Sequence, residues 1–354
     1  MAPMRWTVFC RVVDNFGDIG FAWRLAADLG GRGETVRLAV DDASALAWMA
    51  PRGAPGVRLE SWQRAAAAPA DVWIETFGCG FPEGAAAAPG RVRVNVEHLS
   101  AEAYVERSHG RPSPRFDAEG RPQPLWFFYP GFTERSGGLL REPGLLEQRG
   151  LFGDGRDWLH RLGVERREGE RSVSLFCYRA PALAALLEVL DAAPTLLLLT
   201  PGAATAQAEA LLGPGLQRRH LRAIRLPGLA QDDFDRLLWS CDLNFVRGED
   251  SLVRAIWAGA PFVWQLYPQD DGAHAAKLDA FLARLLEGGD PRLAPSLRGL
   301  FAIWNGLAAP TGLPTTFALL DVAAWAAQCR RFGERCAGLT DLTSALLEFA
   351  ASKR

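Results

Sequence analysis

Val246-Arg247-Gly248-Glu249-Asp250-Ser251 lies between two apolar runs, Leu243 to Val246 and Leu252 to Ala258; Gly259 ends the second, and Pro261-Phe262-Val263-Trp264-Gln265 begins a third. The order reads strand, tight loop, helix, strand. Ser251 suits an N-cap and Gly259 a C′ position, which predicts a helix of about two turns whose N-terminus faces the loop. The positive end of that helix and the cation Arg247 make a seat for a phosphate or diphosphate. Glu249 and Asp250 can accept from sugar or ribose hydroxyls, which a bare phosphate would not require. The competing reading is that the loop only caps a buried helix at the rim of an α/β sheet, with its charges solvated.

The local order is similar to the donor-binding segment of GT-B glycosyltransferases, and the chain around it keeps the same alternation. Ahead of it, Ser172 to Tyr178 is strand-like, followed by a helix with Leu183, Leu186, Leu187 and Leu190 on one face. Thr195 to Thr200 is a further strand and Ala204 to Leu212 a helix; Ile224-Arg225-Leu226 then leads through Pro227-Gly228 to Gln231, and Asp232 to Trp239 is a short helix. The first half repeats the rhythm. Trp6 to Val13 reads as a buried parallel strand, Phe21 to Leu29 as a helix closed by Gly30-Gly31, and Thr35 to Val40 as the next strand. Val57 to Leu59, Val72 to Glu75 and Val92 to Asn95 follow. Residues 99 to 150 are rich in proline, glycine and charge, with an Arg- and Pro-rich segment at 107 to 124, and within them Trp126 to Tyr129 is a strand or a packed anchor. Phe317 to Phe332 and Leu342 to Ala351 have helical periodicity. Strands alternating with helices imply Rossmann-like parallel sheets.

The charged stretch 165–171 marks the expected boundary, giving residues 1–165 and 166–334 as two Rossmann-like domains, with helix 335–354 returning to the first. The fold class expected is α/β, GT-B type, with the two domains facing each other across an interdomain cleft. The loop after the first strand lacks a G-x-G-x-x-G fingerprint and offers Asp14 and Asp18 on either side of Gly17. Ligands in open α/β sheets sit beyond the carboxyl ends of strands, where this loop falls. Asp233-Phe234-Asp235 matches a metal-chelating D-x-D. On a helix, however, side chains two apart diverge, so the match is read as fortuitous.

A chain of 354 residues holds two cores, and a formal charge of −2 gives no global attraction to nucleic acid or an anionic membrane. Six cysteines without a C-x-x-C pair read as reduced thiols, and five histidines show no H-x-x-x-H spacing, so no metal site is expected. The N-terminus lacks the apolar core of a signal peptide, and no apolar run reaches the roughly 18 residues of a membrane span. The expectation is a cytoplasmic monomer without nucleic-acid or membrane partners.

Three long stretches narrow the match: Val13-Asp14-Asn15-Phe16-Gly17-Asp18-Ile19-Gly20 with Trp23-Arg24-Leu25, Ser174 to Tyr178, and Leu237 through Ser251. With Trp257-Ala258-Gly259, Tyr267-Pro268-Gln269, His274 and Lys277 to Phe281, the chain closely resembles the EarP family of protein-arginine rhamnosyltransferases over nearly its whole length. That resemblance implies inverting, cofactor-free and metal-independent transfer of L-rhamnose from dTDP-β-L-rhamnose to one arginine of elongation factor P. It further implies relief of ribosome stalling at polyproline. It implies Asp14, Asp18 and Glu249 as catalytic residues. For the donor it implies Asn15, Phe16, Gly17, Phe176, Tyr178, Gln231, Phe234, Arg247, Glu249, Asp250, Ser251 and Tyr267. Where the family has an aromatic in a Pro-Phe-Leu-Pro-Gln-like run, this chain has Pro227-Gly228-Leu229-Ala230-Gln231, so one wall of the nucleotide pocket must be missing or come from elsewhere.

An arginine guanidinium stays protonated, and removing its proton with an ordinary aspartate would cross about 9 pKa units, roughly 12 kcal/mol. Asp18 is therefore expected to bind the guanidinium and accept a proton late, as the C–N bond forms. Asp14 either acts on it by like-charge repulsion or holds the loop. Two rival readings remain: a GT-B transferase or epimerase using another sugar nucleotide with a small acceptor, and a non-enzymatic sensor of nucleotide sugars.

Overall fold

The structure is a computed structural model that describes residues 3–14, 16–82, 91–116, 120, 122–268 and 272–353. It contains two compact units, Met1–Pro143 with Cys336–Arg354, and Gly144–Arg335. The first unit runs β1 (Arg5–Cys10), α1 (Gly17–Gly31), β2 (Thr35–Val40), α2 (Leu46–Met49), β3 (Val57–Glu60), α3 (Trp62–Ala67), β4 (Val72–Thr76), β5 (Val92–Val96), α4 (Ala103–Ser108), β6 (Pro112–Ser113) and β7 (Leu125–Phe128). Its sheet has the order β3-β2-β1-β4-β5-β7-β6, parallel throughout except for the short β6.

Period-two alternation sorts the β1 side chains between two layers. Trp6, Val8 and Cys10 join Val36, Leu38, Val72, Ile74 and Val94 against Phe21, Ala22, Leu25 and Leu29 of α1. Phe9 goes to the other face with Ala39, Ala65, Trp73 and the partly buried Trp62 and Phe81. The strand is shorter than Trp6 to Val13. The N–H of Val12 donates to Asp41 Oδ1 at 2.9 Å and that of Val13 to Asp18 Oδ2 at 2.7 Å. Side-chain acceptors thus replace a neighbouring strand, and Val13 is left 82% exposed.

In the second unit come α5 (Leu145–Leu151), α6 (Arg156–Arg161), β8 (Arg171–Leu175), α7 (Leu183–Leu190), β9 (Thr195–Leu199), α8 (Ala203–Leu212), β10 (Leu221–Arg225), α9 (Gln231–Trp239), β11 (Leu243–Arg247), α10 (Glu249–Ala258), β12 (Phe262–Gln265), α11 (Ala273–Leu286), α12 (Leu293–Trp304), α13 (Leu313–Ala318) and α14 (Val322–Ala337). Its sheet is all parallel in the order β10-β9-β8-β11-β12. The expected boundary at 165/166 moves to Pro143/Gly144. Trp158, Leu159 and Val164 lie in one apolar cluster with Leu196, Leu198, Leu226 and Leu237, so the segment carrying α5 and α6 belongs to the second core. The single helix expected from Phe317 to Phe332 is two. The break falls at 319–321, where Asp321 Oδ1 takes the Ala324 N–H at 3.0 Å and starts α14 anew.

The chain then returns to the first unit as α15 (Leu342–Ser352), whose Leu342, Leu346 and Ala350 are buried in the core under α1. Gly138 makes the return possible. It has φ +71°, and a Cβ there would stand 2.1 Å from the Thr340 carbonyl oxygen. The Leu342 N–H bonds the Leu139 carbonyl at 3.0 Å.

Strand order reverses between β1 and β4 in the first unit and between β8 and β11 in the second. Those are the switch points at which open parallel sheets bind ligands. The Asp14 loop follows β1, while Phe176 to Tyr178 follow β8 and Gly248 follows β11. The sequence-nominated loops therefore stand at both.

Candidate functional site

In the second unit, Gly248 leaves β11 with φ 68° and ψ −172°, and the helix starts at once with Glu249. Ser251 is consequently not the N-cap. It lies inside the first turn, buried, with its hydroxyl donating to the Arg247 carbonyl. The helix is ten residues long, with Gly259 left-handed at its end as expected. Trp264 Nε1 donates to the Gly248 carbonyl at 2.7 Å, and the Gly248 N–H bonds the Gln265 carbonyl at 3.1 Å, so β12 fixes the turn.

Arg247 is 9% exposed, with its guanidinium 4.6 Å from the Phe176 ring centre and 4.3 Å from that of Tyr178. Weak hydration and a planar face suit a guanidinium to that seat better than an ammonium. Phe176 meets Phe234 edge-on at 5.5 Å, and Tyr178 meets Tyr267 likewise at 5.4 Å, with Tyr267 61% exposed. Five of the residues implied for the donor thus form one aromatic–cation cluster at the ends of β8 and β11. Gln231 opens α9 and is buried, and Asp250 is half-buried in the first turn of α10. Gly228 is exposed; Leu229 beside it is buried with Leu226 and Leu237 in the core of the unit, and Phe234 packs on that cluster.

Glu249 Oε1 is ion-paired to Lys277 Nζ at 2.7 Å, both side chains about one-fifth exposed, at 19% and 23%. Sequence reasoning gave Lys277 no role, since a contact 28 residues away on α11 leaves no local signature. Gln265 was also missed. Its Oε1 accepts the Tyr178 N–H at 2.8 Å and its Nε2 donates to the Arg179 carbonyl at 3.1 Å, which hold the aromatic turn. A polar residue ending an apolar strand was the available signal.

In the first unit, Asp18 lies in the first turn of α1, and its Oδ2 accepts the N–H groups of Val13 at 2.7 Å and Asp14 at 2.9 Å. It clasps the loop ahead of the helix. The Asp14 carboxylate lies over Gly17, where a Cβ would be 2.9 Å from its Oδ2. Phe16 rests edge-on against Trp48 at 5.1 Å. Asn15 lies outside the described residues.

The two D-x-D carboxylates part company. Asp233 takes Arg236 at 2.8 Å and the Trp158 indole at 3.3 Å, whereas Asp235 forms a buried two-point pair with Arg254 at 2.8 and 2.6 Å. Among the described residues no group of three or more His, Cys, Asp or Glu is placed to hold a metal ion, and no helix is long and apolar enough to cross a membrane. None of the six cysteines is joined in a disulfide. Burial pushes the Cys177 thiol up to about 12 and that of Cys79 up to about 11, which disqualifies both as thiolate nucleophiles near neutral pH.

Residues 6–351 match the family described as Elongation-Factor P (EF-P) rhamnosyltransferase EarP. A protein-arginine rhamnosyltransferase of Pseudomonas aeruginosa is 42% identical over 377 aligned positions, covering 98% of both chains. Another, from Neisseria meningitidis serogroup B, is 38% identical and covers 79% of this chain and 78% of its own. A solved structure concerned with EarP-mediated arginine glycosylation of translation elongation factor EF-P superposes with a TM-score of 0.73 at 31% identity, over 99% of this chain and all of the other. The spinosyn rhamnosyltransferase SpnG, at 14% identity and a TM-score of 0.57, shares the GT-B fold alone.

Proposed function

Since the chain belongs to the EarP family of elongation factor P rhamnosyltransferases, we propose that it transfers L-rhamnose from dTDP-β-L-rhamnose to an arginine side chain of EF-P, with inversion, and so equips EF-P to relieve stalling at polyproline. The observation that carries this reading is likeness over the whole chain to protein-arginine rhamnosyltransferases. The aromatic–cation cluster at the β8/β11 switch point supports it as a seat for a nucleoside diphosphate.

Phe176, Tyr178, Phe234 and Tyr267 take the thymine and ribose. Arg247 and the positive end of α10 take the diphosphate, whose charge grows as it leaves. The Ser251 hydroxyl is engaged by the Arg247 carbonyl, so its share in holding phosphate falls to its backbone N–H. These groups supply the positive charge that a metal would otherwise bring, so turnover in EDTA is expected to be undiminished.

Asp18 binds the acceptor guanidinium through Oδ1, because Oδ2 is fixed by two loop N–H groups. A carboxylate so held cannot turn away, which favours attack along one line. The guanidinium nitrogen attacks the anomeric carbon from the face opposite the diphosphate and inverts it. The nitrogen then loses its proton to Asp18 as it becomes the more acidic partner. Asp14 holds the loop under Asp18, and Glu249 positions the sugar or the guanidinium.

The test is the intact mass of EF-P after incubation with this protein and dTDP-β-L-rhamnose. A gain of one deoxyhexose on arginine, with kcat reduced about a hundredfold or more in Asp18→Asn, is the expected result. Donor binding without any transfer would move the acceptor to a small molecule, and an Asp18→Asn enzyme of ordinary turnover would remove Asp18 as proton acceptor.

A further inference from the structure

Past Phe176, whose N–H bonds the Phe245 carbonyl at 2.9 Å, the chain leaving β8 outruns its neighbours, since β9 ends at Leu199 and β11 at Arg247. The peptide groups that follow have lost the strands that would pair them, and each still calls for a partner. Two glutamines supply them. Gln265 Oε1 accepts the Tyr178 N–H at 2.8 Å while its Nε2 donates to the Arg179 carbonyl at 3.1 Å. Gln207, half-buried on α8, accepts the Ala180 N–H through Oε1 at 2.8 Å and donates from Nε2 to the Tyr178 carbonyl at 3.0 Å. Each amide makes the two-point contact that a neighbouring strand would make. Tyr178 is thus held by its N–H from one side chain and by its carbonyl from the other.

Gln265 has a second hold. It ends β12 in register with Arg247 of β11, is 3% exposed, and takes the Gly248 N–H on its own carbonyl at 3.1 Å. One residue therefore fastens the Tyr178 turn through its side chain and the Gly248 turn through its backbone. The Arg247 guanidinium packs on the Tyr178 ring at 4.3 Å, so the place of that ring decides how the cation is seated. A connection whose only task was to lead from β8 into α7 could leave these four peptide groups to water. A buried amide, by contrast, costs free energy unless its oxygen and nitrogen are both bonded, and here they are.

We propose that Gln265 and Gln207 are positioning residues for the nucleoside diphosphate, which together set the separation between the Tyr178 ring and the Arg247–Gly248 turn and hence the width of the donor seat. The proposal rests on the function given above and adds two residues, outside the donor contacts of that reading, on which the seat depends. Both act through Tyr178. A displacement of about 1 Å in a positioning element is enough to weaken a site strongly, and a turn gripped at four peptide atoms by two satisfied amides is protected against it. The two grips also come from remote parts of the chain, β12 and α8, so the turn is fixed to the sheet on one side and to a helix on the other.

The experiment measures calorimetric dTDP binding, steady-state transfer to EF-P and urea midpoints for the full chain, for Gln265→Met and Gln207→Met, and for each of these combined with Tyr178→Ala. Methionine keeps the length of the side chain and loses both hydrogen bonds. Each single replacement is expected to raise the dTDP Kd and the donor KM about five- to tenfold, with the acceptor KM within about twofold. With Tyr178→Ala already in place, the same replacements should change the dTDP Kd by less than about twofold, because the side chain they position is gone. A merely structural glutamine would lower the urea midpoint and leave the dTDP Kd alone, or weaken dTDP equally with and without the Tyr178 ring; either result overturns the proposal. Binding of dTDP that weakens as stated, with no transfer to EF-P even by the unaltered chain, would instead overturn the reaction and keep the clamp.

Discussion

Gly17 is where a single hydrogen atom in place of a methyl group matters most. A Cβ there meets the far end of the Asp14 side chain at 2.9 Å, not backbone, so the fold gives way cheaply and the carboxylate is what moves. Gly17→Ala is therefore expected to hold or raise stability by up to about 1 kcal/mol, since alanine suits a helix better than glycine. Turnover should still fall about tenfold through displacement of Asp14. Parallel urea melts and kcat values check this, and a variant losing both alike would show a general defect. Arg247→Lys separates charge from shape at the other loop. It keeps the cation but loses the planar face over Phe176 and Tyr178, and dTDP affinity should drop roughly tenfold by calorimetry. Asp14, Asp18 and Arg247 were legible because each is a charged residue where an apolar strand run ends. Lys277 and the Asp18 clasp on the preceding loop were not, because each depends on where distant or backbone atoms arrive.

At the scale of elements, α10 is a short helix fastened at both ends. Trp264 fastens the Gly248 carbonyl, Lys277 the Glu249 carboxylate and Arg149 Nε the Ala258 carbonyl at the far end, at 3.1 Å. Between them the Arg254–Asp235 pair, 1% and 5% exposed, locks α10 to α9. Breaking a buried pair leaves an uncompensated charge, so Asp235→Ala should cost about 3–5 kcal/mol in a denaturant titration. Asp233→Ala, whose pair with Arg236 is one-third exposed, should cost no more than about 1 kcal/mol. Equal losses would contradict the division between the two carboxylates. On the proposed mechanism Lys277 would act through Glu249, its ion-pair partner, as a positioning residue. Lys277→Ala should lower kcat about tenfold with donor KM nearly unchanged, and Lys277→Arg should recover it. Most strands could be placed from apolar runs alone, since burial on both faces of a parallel sheet writes itself into the sequence. The start of α10 could not, because Gly248 φ decides it, and neither could the break at 319–321.

At the scale of the whole molecule, alternation along the chain revealed two Rossmann-like units, but the division at Pro143/Gly144 and the docking of α15 through Gly138 depend on contacts between remote segments. Arg32 secures that return. It donates to Asp28 at 3.0 Å, to Asp341 at 2.7 Å and to the Ser344 hydroxyl at 2.6 Å, while Asp341 Oδ1 takes the Ser344 N–H at 2.9 Å as the N-cap of α15. Burial alone would raise the Asp341 carboxyl, but the Ser344 hydrogen bonds and the Arg32 guanidinium together outweigh it and hold the group below its ordinary value. A carboxyl depressed in the folded state stabilises the fold above its unfolded pKa, about 3.9, and loses that contribution as pH falls through the lower folded value. Asp28 on the same guanidinium runs the other way, since burial raises it despite Arg32 and Thr343, so acid favours the fold there. Comparing Asp341→Asn with the unaltered chain isolates the first effect, because asparagine still caps a helix. The variant should be less stable near pH 7, and the gap should close as the pH is taken below about 4. Urea midpoints at stepped pH, with hydrogen exchange in α15 as the local reporter, make the comparison. A gap that stayed constant down to pH 2 would mean that Asp341 holds α15 as a cap and not through its charge.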